Sequence, residues 1–269
     1  MAGTKPRLIF VTYAAGSFEA NLERNAAYVR RYMKADEVIL LRRADLEADP
    51  IYAANRAVFD APRGAGYWAW KPWAIGRALA RARDGDVVVY QDAGFGLRYH
   101  NYLRVEALAA MARERGYIAG VVDPTHGPNR KWNRRSCLTA TGELIPAYLD
   151  HPSVEAVLSL WTTAPASVGF VREWQRFCLD PDVIGDAPDP AKEDPDFVEH
   201  RYDQAILTNL AIRNGAPVLR PPEAVLPFAK SLMLLELVER ARSSRAASLA
   251  LNGFTAFLRL RDHIKGRQR

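Results

Sequence analysis

Gly85-Asp86-Val87-Val88-Val89-Tyr90-Gln91-Asp92-Ala93-Gly94 is the stretch that decides the fold. A short β-branched run bounded by glycines reads as a buried strand. It stops on a carboxylate, Asp92, followed by two residues too small to cover it. Open α/β sheets bind ligands outside the carboxyl ends of their strands, so Asp92 stands where chemistry is usually done. Read alone, a strand-end acid fits a turn cap equally well.

The neighbouring segments alternate in type. Arg7–Tyr13 reads as a first strand and Phe18–Met33 as a helix with apolar Leu22, Ala26, Val29 and Met33 on one side. Glu37–Leu41 is a second strand, Pro72–Arg83 a helix, Tyr102–Arg115 another helix and Tyr117–Val122 another strand. This order predicts an α/β fold, with a mostly parallel sheet covered by helices on both faces. Further on, Val154–Trp161 reads as a strand and Pro165–Cys178 as a helix with proline in its first turn. A late helix, Asp203–Arg213, is closed by Asn214-Gly215. Asp180–Glu199 holds eight acidic residues and only Lys192 of opposite sign, the composition of a solvated loop.

With 269 residues, 49% of them hydrophobic, the chain can build a full core. Cys137 and Cys178 lack metal-ligand spacing and are too few for a disulfide framework, so a reducing cytoplasm is the expected compartment. The apolar run after Lys5 and Arg7 is short and leads straight into a helix pattern, so it reads as a strand and not as an export signal. The net charge of +6 is concentrated: residues 229–269 hold nine Lys/Arg against three Asp/Glu, and the preceding 228 residues balance. Residues 1–227 are therefore read as a catalytic domain and 228–269 as a basic helical extension. Leu232–Val238 is apolar on most sides and is followed by Arg240, Arg242 and Arg245, and the later Phe254, Phe257, Leu258 and Leu260 interleave with lysine and arginines, a pattern that suits an anionic membrane surface at its inner face. The alternative is packing of Leu232–Val238 on the catalytic domain.

Three further motifs carry chemistry. Arg63-Gly64-Ala65-Gly66-Tyr67-Trp68-Ala69-Trp70-Lys71-Pro72-Trp73 joins two glycines to a helix start, whose free N–H groups attract anions. Arg63 and Lys71 add positive charge there, and tryptophans such as Trp70 offer flat walls for a sugar or a base. Thr12 and Tyr13 end the first strand among small residues suited to a nucleotide, with Tyr13 available for base stacking. There is no GxGxxG fingerprint and no Walker loop. His200-Arg201-Tyr202-Asp203-Gln204 opens the late helix, where Asp203 is either a cap or a functional acid. Asn129–Arg135 is basic, but a charge run is more often a solvated face than a nucleic-acid site, and nucleic acid ranks last among expected partners.

Taken together, Gly66-Tyr67-Trp68-Ala69-Trp70-Lys71-Pro72, Tyr90-Gln91-Asp92-Ala93-Gly94, Trp174 before a cysteine, and His200–Gln204 resemble bacterial glycosyltransferases of the nucleotide-diphospho-sugar transferase superfamily, of the capsule and surface-polysaccharide type. The resemblance spans roughly residues 7–220. It implies a GT-A fold, related to the Rossmann sheet, a nucleotide-sugar donor, and a saccharide or lipid-linked acceptor. It places Asp92 at the first position of the DxD motif, as a ligand of Mn²⁺ or Mg²⁺ on the donor pyrophosphate. The second acidic position is Gly94, so Asp92 either contributes alone to an oxygen-rich site or binds ribose or sugar hydroxyls without metal. Asp203, and less directly His200, become catalytic candidates. Thr12, Tyr13, Arg63, Trp70, Lys71, Asp92, Gly94 and Gln204 are the donor-binding candidates. The competing readings are a nucleotidyltransferase and a non-catalytic nucleotide-sugar-binding protein.

Overall fold

The computed structural model describes residues 5–95, 105–186 and 189–220. The expected boundary at 227 and the basic extension 228–269 lie outside the described residues. Strands β1 (Leu8–Ala14), β2 (Glu37–Arg42), β3 (Val87–Gln91), β4 (Tyr117–Ile118) and β7 (Leu158–Trp161) form a five-stranded sheet in the order β2-β1-β3-β7-β4. The remaining pair, β5 (Val121–Pro128) and β6 (Pro152–Glu155), makes a two-stranded ribbon. The fold is α/β, as the alternation predicts.

The sheet is mixed, which corrects the expectation of a mostly parallel one. β1 runs parallel to β2 and β3, whereas β7 is antiparallel to both β3 and β4. Four strands therefore share a direction and β7 alone opposes them. The cause is a long antiparallel pairing that changes sheets part-way. Tyr117–Val122 and Val154–Trp161 each read as one strand, but each breaks in two, at Ala119-Gly120 and at Ala156-Val157. Gly120 sits at the bend, where a Cβ would lie 2.5 Å from the Glu155 carbonyl oxygen. Only glycine admits the partner backbone so closely.

Side chains alternate across the main sheet, as the strand period requires. Ile9, Val11, Tyr13, Val88 and Tyr90 enter one apolar cluster, and Phe10, Val87 and Val89 the other. The helices on these faces are α1 (Leu22–Tyr28), α2 (Trp70–Leu79), α3 (Val105–Arg115), α4 (Pro165–Cys178) and α5 (Tyr202–Arg213). α4 buries Phe170, Val171, Trp174, Phe177 and Cys178, the one-sided stripe of a surface helix. The helix expected over Phe18–Met33 is composite: a 3₁₀ stretch at Gly16–Asn21, then α1, then a π-turn at Val29–Met33.

The acidic segment is tethered, not merely solvated. Its helical turn Pro181–Ile184 buries Val183 and Ile184. The Arg134 guanidinium donates to the carbonyls of Asp182, Gly185 and Asp186. These contacts fix the acidic segment beside the start of α5.

Candidate functional site

β1 and β3 are parallel neighbours, with Val11 opposite Tyr90, so their carboxyl ends lie at one edge of the sheet. Asp92 leaves that edge with its N–H donated to the Val157 carbonyl at 3.0 Å. Asp92 Oδ1 accepts a hydrogen bond from Tyr90 OH at 2.5 Å, and Oδ2 accepts one from Lys71 Nζ at 3.2 Å. Lys71 Nζ also lies 3.2 Å from Asp203 Oδ2. Lys71 comes from the first turn of α2 and Asp203 from the first turn of α5, which Trp174 Nε1 secures by donating to the Asp203 carbonyl at 3.0 Å. Three motifs far apart in the chain thus converge on one ammonium. Asp92 is the most open of the three side chains, 13% exposed against 5% for Lys71 and 4% for Asp203.

The electrostatics follow from two carboxylates sharing one buried cation. Burial pushes the Asp203 carboxyl up to about 7; Lys71 opposes that shift and the Asp92 charge adds to it. Burial also works against the Lys71 ammonium, but the charges of Asp203 and Asp92 outweigh it and raise its pKa. Burial, then the neighbouring Asp92, holds the Tyr90 phenol well above its usual range, so it remains a donor. A divalent cation does not fit at Asp92 in this arrangement. The Lys71 ammonium already occupies Oδ2, and its positive charge opposes a second cation at the same carboxylate.

The segments that deliver Lys71 and Asp203 are strained. Ala65, Tyr67, Trp68 and Tyr202 all have left-handed backbone, with φ of 51°, 53°, 58° and 48°. Such residues cost about 1–3 kcal/mol each and persist where the surroundings over-determine them. Here the rings of Tyr67 and Trp68 pack on Tyr202 at 5.0 and 5.6 Å, and Asp186 accepts from both Tyr67 OH (3.0 Å) and Tyr202 OH (2.7 Å). A Cβ at Gly66 would come within 2.9 Å of the Phe59 backbone.

Several residues expected to bind a donor are placed differently. Tyr13 is 1% exposed, stacked on Trp70 at 4.3 Å and edge-on to Trp73 at 6.2 Å, so it has no open face for a base. Trp70 is likewise core, with its Nε1 donated to the Gly64 carbonyl at 3.1 Å. The Lys71 charge, expected to meet phosphate, is engaged by the two aspartates. Thr12 is fully buried, and its Oγ1 has no hydrogen-bond partner among the described residues. Arg63 is on the rim, paired with Glu199 at 3.1 Å and lying over the Tyr202 ring. Gly94 is exposed in the 3₁₀ turn Ala93–Phe95, against the ring of Phe18. Gln204 sits beside Asp203 with a buried, unpartnered Nε2.

His200 belongs to the scaffold. It is 3% exposed, and its Nδ1 accepts the Arg134 N–H at 3.3 Å. Burial, then the Arg134 charge, lowers its pKa to about 3. A histidine that folds neutral stabilises the fold above its unfolded pKa near 6.5 and loses that contribution as pH falls toward 3. The difference is of order 4 kcal/mol. Urea unfolding of His200→Asn, which keeps an acceptor near Nδ1, should show a smaller loss of stability between pH 6.5 and 3 than the wild type. Parallel pH profiles would contradict this.

Asp123, His126 and Glu155 form a second cluster that sequence reading missed. Asp123 and His126 lie on β5 and Glu155 ends β6, and their ligand atoms lie within 4.8 Å of one another. Burial raises the Glu155 pKa, while His126, Arg201 and Lys71 pull it down, which ties this cluster electrostatically to the first. The signal available in sequence was Asp-x-x-His on one strand, visible only once the partner strand is known. Two of the four basic residues in Asn129–Arg135 spend their charge internally: Arg130 pairs with Asp150 and Asp196, and Arg134 serves the acidic segment. No family model and no curated protein sequence matches the chain.

Proposed function

We propose that the protein transfers a glycosyl group from a nucleoside-diphosphate sugar to an acceptor hydroxyl, in the synthesis of a surface polysaccharide or glycoconjugate. The observation that carries this reading is the meeting of Lys71, Asp92 and Asp203 at the carboxyl edge of β1 and β3. Those residues come from three of the four sequence elements on which the resemblance to glycosyltransferases rests.

The chemistry assigns the roles. In the transfer step the acceptor oxygen bonds to the anomeric carbon, the bond from that carbon to the phosphate oxygen breaks, and the nucleoside diphosphate leaves with the electron pair. Positive charge develops on the sugar as in other glycosyl transfers. A cluster of two carboxylates and one ammonium carries one excess negative charge, which favours that transition state. Asp92, the most open acid, accepts hydrogen bonds from sugar or ribose hydroxyls. Asp203, whose carboxyl titrates at about 7, takes the acceptor proton as general base. Lys71 holds the two acids in place, Arg63 contacts the donor from the rim, and Gln204 contacts it from beside Asp203. An acceptor carried on a lipid fits the basic segment 228–269, which would hold the enzyme at the inner face of the membrane.

Calorimetry with a panel of nucleoside-diphosphate sugars tests the reading. At least one should bind saturably, and Arg63→Ala should weaken it at least threefold without lowering the thermal midpoint. Absence of binding across the panel would remove the reading.

A further inference from the structure

The geometry points to a divalent-cation site at Asp123, His126 and Glu155, separate from Asp92. His126 Nδ1 lies 3.1 Å from Asp123 Oδ2 and 3.3 Å from Glu155 Oε1. An octahedral ion with ligands at about 2.1 Å has neighbouring ligand atoms about 3 Å apart. The two separations from His126 Nδ1 match adjacent positions around one ion, and the ligand atoms of all three residues lie within 4.8 Å of one another.

The His126 nitrogen itself argues against a simple ion pair. It is buried and meets neither carboxylate in hydrogen-bonding geometry. A bridging imidazolium would point its N–H along one of the two oxygens. As neutral imidazole, His126 would offer that nitrogen's lone pair to an ion shared with the two carboxylates. Asp123 keeps its other oxygen on Thr125, at 2.7 Å to N and 2.6 Å to Oγ1, which leaves Oδ2 for the ion.

The ligand set also selects the ion. Two carboxylate oxygens and one imidazole suit Mn²⁺ or Zn²⁺ better than Ca²⁺, which prefers an all-oxygen shell. Glu155 is nearly buried at 11% exposure, whereas Asp123 and His126 are 27% and 35% exposed, so one side is open to water or a phosphate oxygen. Three protein ligands with an open side is the arrangement of ions that act on a bound molecule. The site stands on its own geometry and does not depend on the glycosyl-transfer reading.

The test uses the full chain, stripped with chelator, and Mn²⁺ alone at pH 7.5, followed by the electron paramagnetic resonance signal of free Mn²⁺. One Mn²⁺ should bind per chain, and Zn²⁺ should displace it. His126→Ala and Asp123→Asn should each weaken Mn²⁺ binding at least tenfold, with thermal midpoints showing that both variants fold. Asp92→Asn should leave Mn²⁺ affinity within twofold of the wild type. Absence of Mn²⁺ binding at millimolar concentration, affinity unchanged in folded His126→Ala and Asp123→Asn, or loss of binding in Asp92→Asn would each overturn the proposal.

Discussion

Replacing Lys71 by methionine should destabilise the fold by about 3–5 kcal/mol at pH 8, the typical cost of removing one partner from a buried ion pair. Methionine keeps most of the side-chain volume, so packing changes little. What remains is Asp92 and Asp203 facing the space the ammonium filled, with Asp203 fully buried. The variant should recover part of the loss as pH falls to 5, because protonating one acid removes the repulsion. Denaturant unfolding at the two pH values measures both effects. Equal stability of variant and wild type at pH 8 would mean that the three charges are not mutually dependent.

Asp203→Asn should lower turnover by a factor of about 10²–10⁴, the usual contribution of a positioned general base. The wild-type rate should rise with pH through about 7, where the Asp203 carboxyl loses its proton, and the variant should lack that limb. Stability moves in the opposite sense. The folded carboxyl holds its proton up to about 7, against an ordinary value of 3.8, so its contribution is present below about pH 4 and is lost as pH rises through 7. The loss is of order 4 kcal/mol. The asparagine variant should therefore be no less stable than the wild type at pH 8. Reduced stability with normal turnover would instead identify Asp203 as a helix cap.

The chain's own pattern announced the elements and concealed their partners. β3 was legible because three consecutive valines between glycines leave few alternatives to a buried strand. The mixed character of the sheet was not, because the break at Ala119-Gly120 follows from the approach of the Glu155 backbone, a contact made across the fold. Asp86 and Asp92 look alike at the two ends of the same strand, yet their fates differ. Asp86 is pinned by the Arg7 guanidinium and the Arg83 N–H at 2.8 and 2.9 Å, and it closes the amino end of the strand. Asp92 meets a lysine 21 residues away that also meets Asp203.

The aromatic residues show the same limit. Composition indicates that Tyr13 and Trp70 are flat and apolar, but not that they stack on each other and leave no face free. The motif Gly64–Tyr67 was legible as unusual backbone. Its function of holding Tyr67 and Trp68 on Tyr202 depends on Asp186, from a segment that reads as solvent-exposed loop. Sequence identified the three motifs that meet; only the fold reveals that a single ammonium joins them.

The measurement that bears most directly on glycosyl transfer is release of nucleoside diphosphate from a panel of nucleotide sugars, with water or a simple saccharide as acceptor. Wild type and Asp92→Asn are compared at equal concentration, with folding checked by thermal midpoint. The wild type should consume at least one donor, and Asp92→Asn should do so about a hundredfold more slowly, since loss of one stabilising polar group costs about 3 kcal/mol. Consumption of that donor at the same rate by a folded Asp92→Asn variant would contradict the account.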